Sequence, residues 1–214
     1  MKPLIDRTCT KDDPLRLAVL VSGSGTNLQA IIDAIAEEGI PVRIVTVVSS
    51  RPDAYGIERA RSAGIPTLVL NRKSYEDPEA ADSLIVDELR AVGAECVAMA
   101  GYMRKCTPVL LDAFEDRVVN LHPALLPSFV GAHAIDDAYE AGVKVTGVTV
   151  HLANEEYDKG PIIAQEPVRI EEGSTLDELE ARIHETEHAL YPNVIAAIAE
   201  GRVSMDEKRH IHVA

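Results

Sequence analysis

The chain has 214 residues, is 46% hydrophobic with 4% aromatic residues and no tryptophan, and carries a formal net charge of −14. That length supports one large α/β domain or two small ones with a substantial core, and so acidic a surface repels nucleic-acid backbones and anionic membranes. No run approaches the ~20 apolar residues of a membrane span, and Met1–Pro14 lacks an apolar signal core, so a cytoplasmic location is expected.

In chain order, residues 1–14 read as a flexible, polar N-terminal tail. β-prone apolar runs follow at Arg16–Val21, Val42–Val48, Thr67–Leu70, Glu95–Ala100 and Val118–Leu121. Helical patterns alternate with them at Asn27–Glu38, Ala54–Ala63, Pro78–Val92 and Thr107–Phe114. This alternation predicts a Rossmann-like, doubly wound, mostly parallel sheet, and the unbroken apolar stretches Val19–Val21 and Val45–Val48 fit strands covered on both faces. Past Pro123 the rhythm changes. A Pro-rich loop (Pro123–Gly131) leads to a short helix near Ala132–Ala141, and then Val145–Leu152 alternates with period two, which predicts a strand with two unlike faces. Pro161–Val168 is its expected hairpin partner, giving a mixed C-terminal part. Thr175-Leu176-Asp177-Glu178 is a capping-box pattern opening a long helix, with an apolar stripe at Leu176, Leu179, Ile183, Leu190, Val194 and Ile198. Residues 204–214 read as a polar, frayed tail. The expected organisation is one domain over 15–203, with a phosphate-binding lobe at about 15–100 and a catalytic lobe at about 101–203.

Three segments carry chemistry. Arg16–Val21 runs into Ser22-Gly23-Ser24-Gly25-Thr26-Asn27 and then a helix, a turn that collects backbone N–H groups and a positive helix end around an anion. The third Gly of a dinucleotide fingerprint is replaced by Leu28, and no Walker lysine is present. A single phosphate monoester therefore fits better than a pyrophosphate, with Gly23, Ser24, Gly25 and Thr26 as its binding residues. The second segment is Asn120-Leu121-His122-Pro123, which puts an amide donor and a proton-transfer group on one strand face. The third is Asp158-Lys159-Gly160-Pro161; Asp158, if the fold returns it there, orients His122 and favours its charged form. Together these suit stabilisation of an oxyanion while a proton moves. His151 is expected to be a structural histidine within its strand. The cysteines Cys9, Cys96 and Cys106 show no C-x-x-C pairing; Cys96 and Cys106 fit small core hydrophobes, and a disulfide framework or cysteine-ligated zinc is not expected.

Ser22–Leu28 (S-G-S-G-T-N-L), Gly101–Arg104 (G-Y-M-R), Asn120–Pro127 (N-L-H-P-A-L-L-P) and Asp158–Ile162 (D-K-G-P-I) stand in an order and spacing that resembles the phosphoribosylglycinamide formyltransferase family, from about Arg16 to Val203. The resemblance implies the formyltransferase fold and formyl transfer from 10-formyltetrahydrofolate to the primary amine of glycinamide ribonucleotide, a step of de novo purine biosynthesis. It further implies His122 as general acid/base, Asn120 as oxyanion donor and Asp158 as the group that keeps His122 charged and helps shuttle the proton. Met103, Arg104, Lys105 and Cys106, with Asn154, Glu155, Glu156 and Tyr157, would line the folate site, and His184 and Glu187 would meet the ribonucleotide's amine and sugar. No tightly bound cofactor and no metal is implied, 10-formyltetrahydrofolate being a co-substrate; the expected partners are small-molecule substrates, not nucleic acid or membrane, with a homodimer admitted. Three departures stand out: Val130 where the family commonly has proline, Asp136 and Asp137 where it often has a basic residue, and no arginine in Ser74–Ala80, although Arg72 and Lys73 lie close.

Two other readings compete. His184-Glu185-Thr186-Glu187-His188 is an H-x-x-E-H pattern with zinc-ligand spacing on a helix, which would make the chain a metalloprotease with Glu187 as base. It leaves the glycine loop and the Asn120/His122 pair unexplained. A formyltetrahydrofolate deformylase would use the same centre with water in place of the amine, but usually carries a further N-terminal regulatory domain. A methionyl-tRNA formyltransferase would need a basic tRNA-binding domain that neither the length nor the charge provides.

Overall fold

The computed structural model describes all 214 residues. β1 (Lys2–Pro3) is followed by β2 (Leu15–Val21), α1 (Thr26–Asp33, continuing as a π-helical turn over Ala34–Glu38), β3 (Val42–Ser49), α2 (Gly56–Ser62), β4 (Thr67–Val69), α3 (Pro78–Ala91), β5 (Cys96–Met99), α4 (Pro108–Ala113) and β6 (Val118–His122). Then come α5 (Ala134–Glu140), β7 (Val145–Leu152), β8 (Ile162–Arg169), α6 (Leu176–Ala199), β9 (Val203–Met205) and β10 (Ile211–Val213). The main sheet has seven strands in the order β4-β3-β2-β5-β6-β7-β8. β2 to β6 pair in parallel, while β7 and β8 add antiparallel. This is the expected α/β architecture, and one sheet crosses the expected lobe boundary at 100/101.

Alternation within β2 explains why its run from Leu17 to Val21 is apolar throughout. Leu15, Leu17, Val19 and Val21 join the core under α1 and α6, with Leu28, Ile31, Leu179 and Ile183. Ala18 and Leu20 point the other way, into the core beneath α3 and α4 with Ile85, Leu89, Leu110 and Phe114. A strand between two helical layers has no solvent face to mark with polar residues. α6 opens on the expected capping box: the Thr175 hydroxyl accepts from Glu178 N–H and the Glu178 carboxylate from Thr175 N–H. Of its predicted stripe, Leu179, Ile183, Val194 and Ile198 are fully buried, and Leu176 and Leu190 partly. Farther along, the buried Tyr191 hydroxyl donates to the carbonyls of Met99 and Val119 at 3.1 and 2.9 Å, fastening α6 across β5 and β6.

Two expectations need correction. The N-terminal segment packs: Leu4, Ile5 and Cys9 are buried in the main core, and Arg7 donates to Glu95 at 2.9 Å. The C-terminal segment is not frayed either, because β9 pairs antiparallel with both β1 and β10 in a small second sheet. Isolated two- and three-residue strands carry almost no propensity signal; β1 forms because β9, at the other end of the chain, is its partner, and β10 folds back on β9 as a short hairpin. The polar face of β7, marked off by the period-two pattern, is buried along with the apolar one. Thr149 and His151 are as enclosed as its apolar residues, because the Pro-rich loop after β6 lies over the face that α6 leaves open. A Cβ on Gly147 would come within 2.7 Å of Leu125 Cδ2 of that loop.

Candidate active site

The sheet order places a switch between β2 and β5, where the chain leaves in one direction and returns on the other side. Crevices outside the carboxyl ends of strands at such a point are where open α/β sheets bind ligands. The loops after β2, β5 and β6 meet there in a cleft of about 530 Å³. It is lined by Ser22–Asn27, Ala100–Met103, Asn120–Pro123, Tyr157, Asp158, His184 and Glu187. Two other clefts of similar volume, under the N-terminal arm and beside the end of α6, bring no such groups together.

At its centre, β6 delivers Asn120 and His122, and the loop after β7 returns Asp158 to them. Asp158 adopts φ 54°, which aims its buried carboxylate back at the sheet. Its Oδ2 lies 3.5 Å from His122 Nδ1 and accepts the Gly131 N–H at 2.9 Å. His122 Nε2 lies 2.8 Å from the Phe129 carbonyl, so both ring nitrogens face oxygen acceptors. Burial pushes the Asp158 carboxyl up, but the contact with His151, the Gly131 N–H and the neighbouring imidazoles outweigh it and hold the group below the usual carboxylate range.

His151 lies beside this centre, and one of the neighbours it hydrogen-bonds from within its strand is Asn120 itself. Antiparallel pairing sets Asn120 opposite His151 across β6 and β7. Asn120 Nδ2 lies 3.0 Å from His151 Nε2, and His151 Nδ1 lies 2.9 Å from the Leu152 carbonyl. The Leu152 carbonyl takes the Nδ1 proton; in the neutral ring Nε2 then accepts from the Asn120 amide, which leaves one amide hydrogen for a ligand. Asp158 Oδ1 is 3.7 Å from the same Nε2. The signal was present in the sequence, since Val145–Leu152 was placed as a strand; its register against β6 was not readable.

The turn after β2 keeps its amides open. Gly25 takes the cap position of α1 at φ 70° with no side-chain cap, so the first-turn N–H groups face outward with Gly23, Ser24 and Thr26 on the cleft wall. Ser22 is drawn inward, its hydroxyl 2.6 Å from that of Ser50 and accepting the Met103 N–H at 2.8 Å. Along the same wall, buried Glu187 accepts from Asn27 Nδ2 at 3.0 Å and from His184 Nδ1 at 2.9 Å on one oxygen. The hydrogen bond to Glu187 raises the His184 pKa, whereas burial lowers that of His188. Asn27 ends the glycine segment without being one of its expected binding residues, yet its own Oδ1 is buried with no partner at the cleft. The H-x-x-E-H reading fares poorly here: the buried Glu187 carboxylate is hydrogen-bonded to His184, one of the two histidines that would have to bind zinc.

The predicted folate residues gather beyond Asn120. Arg104, Lys105, Cys106, Asn154, Glu156 and Tyr157 line a narrow gap of about 40 Å³ together with Asn120, His151 and Asp158. Glu155 faces an outer cleft of about 440 Å³ with Arg104, Lys105 and Tyr75, and exposed Met103 faces the main one. The Cys106 thiol is buried and its pKa is pushed up to about 12, which makes it packing rather than a nucleophile. The Arg104 guanidinium sits 4.5 Å from the Tyr75 ring centroid, and the Tyr75 hydroxyl is 2.7 Å from that of Tyr102. The turn that lacks an arginine is thus tied to the G-Y-M-R loop, which brings its own.

The sequence profile described as formyl transferase matches residues 15–195. Phosphoribosylglycinamide formyltransferase of Bacillus subtilis is 43% identical over 180 residues, 84% of this chain and 92% of that one. The Escherichia coli protein of the same name is 39% identical over 193 residues, covering 90% and 91%. Among solved structures, glycinamide ribonucleotide transformylase 1 of Symbiobacterium toebii superposes with a TM-score of 0.89 at 45% identity, over 94% of both chains. With the profile covering residues 15–195, relatives about 40% identical over most of both chains and the fold superposing on theirs, the chain belongs to the formyl transferase family, among its phosphoribosylglycinamide formyltransferases.

Proposed function

We propose that the chain transfers the formyl group of 10-formyltetrahydrofolate to the amine of glycinamide ribonucleotide. The observation that carries this reading is one continuous cleft holding uncapped loop amides, two acceptor side chains and the Asn120/His122/Asp158 centre. The phosphate would sit on Gly23–Thr26. Glu187 and the unpartnered Asn27 Oδ1 are acceptors suited to the amine, with His184 beside them. The folate would enter between Met103–Cys106 and Asn154–Tyr157, its formyl carbon meeting the amine at Asn120.

The amine nitrogen attacks the formyl carbon and creates O⁻ and N⁺ together. The free Asn120 amide hydrogen stabilises the O⁻, an effect worth on the order of 3 kcal/mol for a preorganised donor, and His122⁺ adds to it. Asp158 orients His122 and relays the ammonium proton toward the folate N10, after which the C–N10 bond breaks. Tetrahydrofolate and formylated ribonucleotide leave. His122 must exchange its Phe129 carbonyl partner for the substrate oxygen in this scheme.

The test is formyl transfer by chelator-treated protein with 10-formyltetrahydrofolate, with and without glycinamide ribonucleotide. Folate turnover dependent on the ribonucleotide is expected. Equal turnover without it would make the chain a deformylase instead. A homodimer is compatible with this chemistry, which each chain's cleft performs by itself.

A further inference from the structure

The phosphate loop is shaped from behind, by α2. Two consecutive carbonyls of the turn are fastened to that helix: Gly56 N–H donates to the Gly23 carbonyl at 3.1 Å, and Arg59 Nε donates to the Ser24 carbonyl at 2.9 Å. In a trans peptide the carbonyl and the following N–H point in opposite directions. Tying these two carbonyls toward α2 therefore turns the Ser24 and Gly25 N–H groups away from it, to the side of the cleft that both residues line. Neither N–H has an acceptor within the protein.

Arg59 is held by more than this one bond. Its Nη1 donates to Gln29 Oε1 at 3.1 Å, one turn into α1, and its guanidinium lies 5.1 Å from the Tyr55 ring centroid. The planar fork thus bridges loop and helix, which the single ammonium of a lysine does not do. Glycine permits the approach, since a Cβ on Gly25 would lie 2.6 Å from Gly56 Cα. The other cation at this end, Arg51, is differently placed: it lines the cleft and pairs with exposed Asp53 at 2.8 Å.

We propose that Arg59 is a positioning residue for a phosphate monoester, acting through the Ser24–Gly25 peptide and not by touching the phosphate. Its charge behind the loop also favours an anion in front of it. The proposal rests on the assignment of the phosphate to Gly23–Thr26.

The experiment compares wild type with Arg59→Gln, Arg59→Lys and Ser24→Asp in the full chain, measuring KM for each substrate, kcat, and the preference for glycinamide ribonucleotide over its dephosphorylated riboside. Arg59→Gln is expected to raise the ribonucleotide KM on the order of tenfold, the scale of one lost charge-assisted bond, while folate KM stays within about twofold. The preference for the phosphorylated substrate should fall by the same factor, which a merely structural role would not produce. Arg59→Lys keeps the charge and loses the fork, so its ribonucleotide KM should lie between the two. It carries the test alone if the glutamine variant does not fold, and a wild-type KM there overturns the proposal. If Ser24→Asp raises the ribonucleotide KM and Arg59→Gln does not, Arg59 has no positioning role. If Ser24→Asp also has no effect, the phosphate lies elsewhere and the loop assignment falls with the proposal.

Discussion

Replacing Thr149 by valine removes one oxygen from a fully buried polar junction near the site while keeping the side-chain shape. The Thr149 hydroxyl donates to the Ala124 carbonyl at 2.6 Å, accepts the Leu126 N–H at 3.1 Å, and accepts from Gln165 Nε2 at 3.0 Å. Gln165 keeps its second bond, to the Leu126 carbonyl, so the groups left without partners are the Ala124 carbonyl and the Leu126 N–H. An unsatisfied buried backbone group costs about 1–3 kcal/mol, and two of them put Thr149→Val at roughly 2–4 kcal/mol, allowing for partial relaxation. That is a large share of the ~5–15 kcal/mol that stabilises a typical domain. Urea unfolding should show a lower midpoint at unchanged slope, the sign of altered stability without altered compactness. Thr149→Ser retains the hydroxyl and should lose about 1 kcal/mol or less, for one buried methyl. Because these bonds anchor the loop leading from His122 to Phe129, kcat should fall in the valine variant and stay near normal in the serine variant. A valine variant within about 0.5 kcal/mol of wild type, the range of an ordinary surface change, would refute the reasoning.

Other outcomes follow from the same geometry. His122→Ala should lower kcat by about 10²–10⁴ with the far-ultraviolet circular dichroism spectrum retained; near-normal turnover would remove His122 from the chemistry. Asp158 has a depressed carboxyl pKa in the folded protein, so its contribution to stability is present above the unfolded carboxylate value near 4 and is lost as pH falls through the folded one. The stability gap between wild type and Asp158→Asn should therefore narrow from pH 7 to pH 3, and a gap that widens on acidification would contradict the ion-pair geometry. Gly25→Ala places a Cβ at positive φ, 2.6 Å from Gly56 Cα; it should cost upward of about 1 kcal/mol and raise the ribonucleotide KM, and a thermal midpoint equal to wild type would show that α2 yields freely.

The sequence by itself determined the layered α/β sheet, the capping box of α6 and the glycine turn after β2, because each is written in contiguous residues: an unbroken apolar run, a Thr/Glu pair three apart, two glycines between a strand and a helix. It also carried Asn120 and His122 as a pair, since two residues apart on a strand share a face whatever the rest of the chain does. Only the tertiary structure decided the remainder. His151 came to lie beside the site through β6–β7 register, and Asn27 met Glu187 across 160 residues. The N-terminal segment became a strand because β9, near the other end of the chain, is its partner. Register and chain-end pairing are relations between distant segments, fixed by which surfaces bury together; local periodicity records that a face is buried, not what covers it.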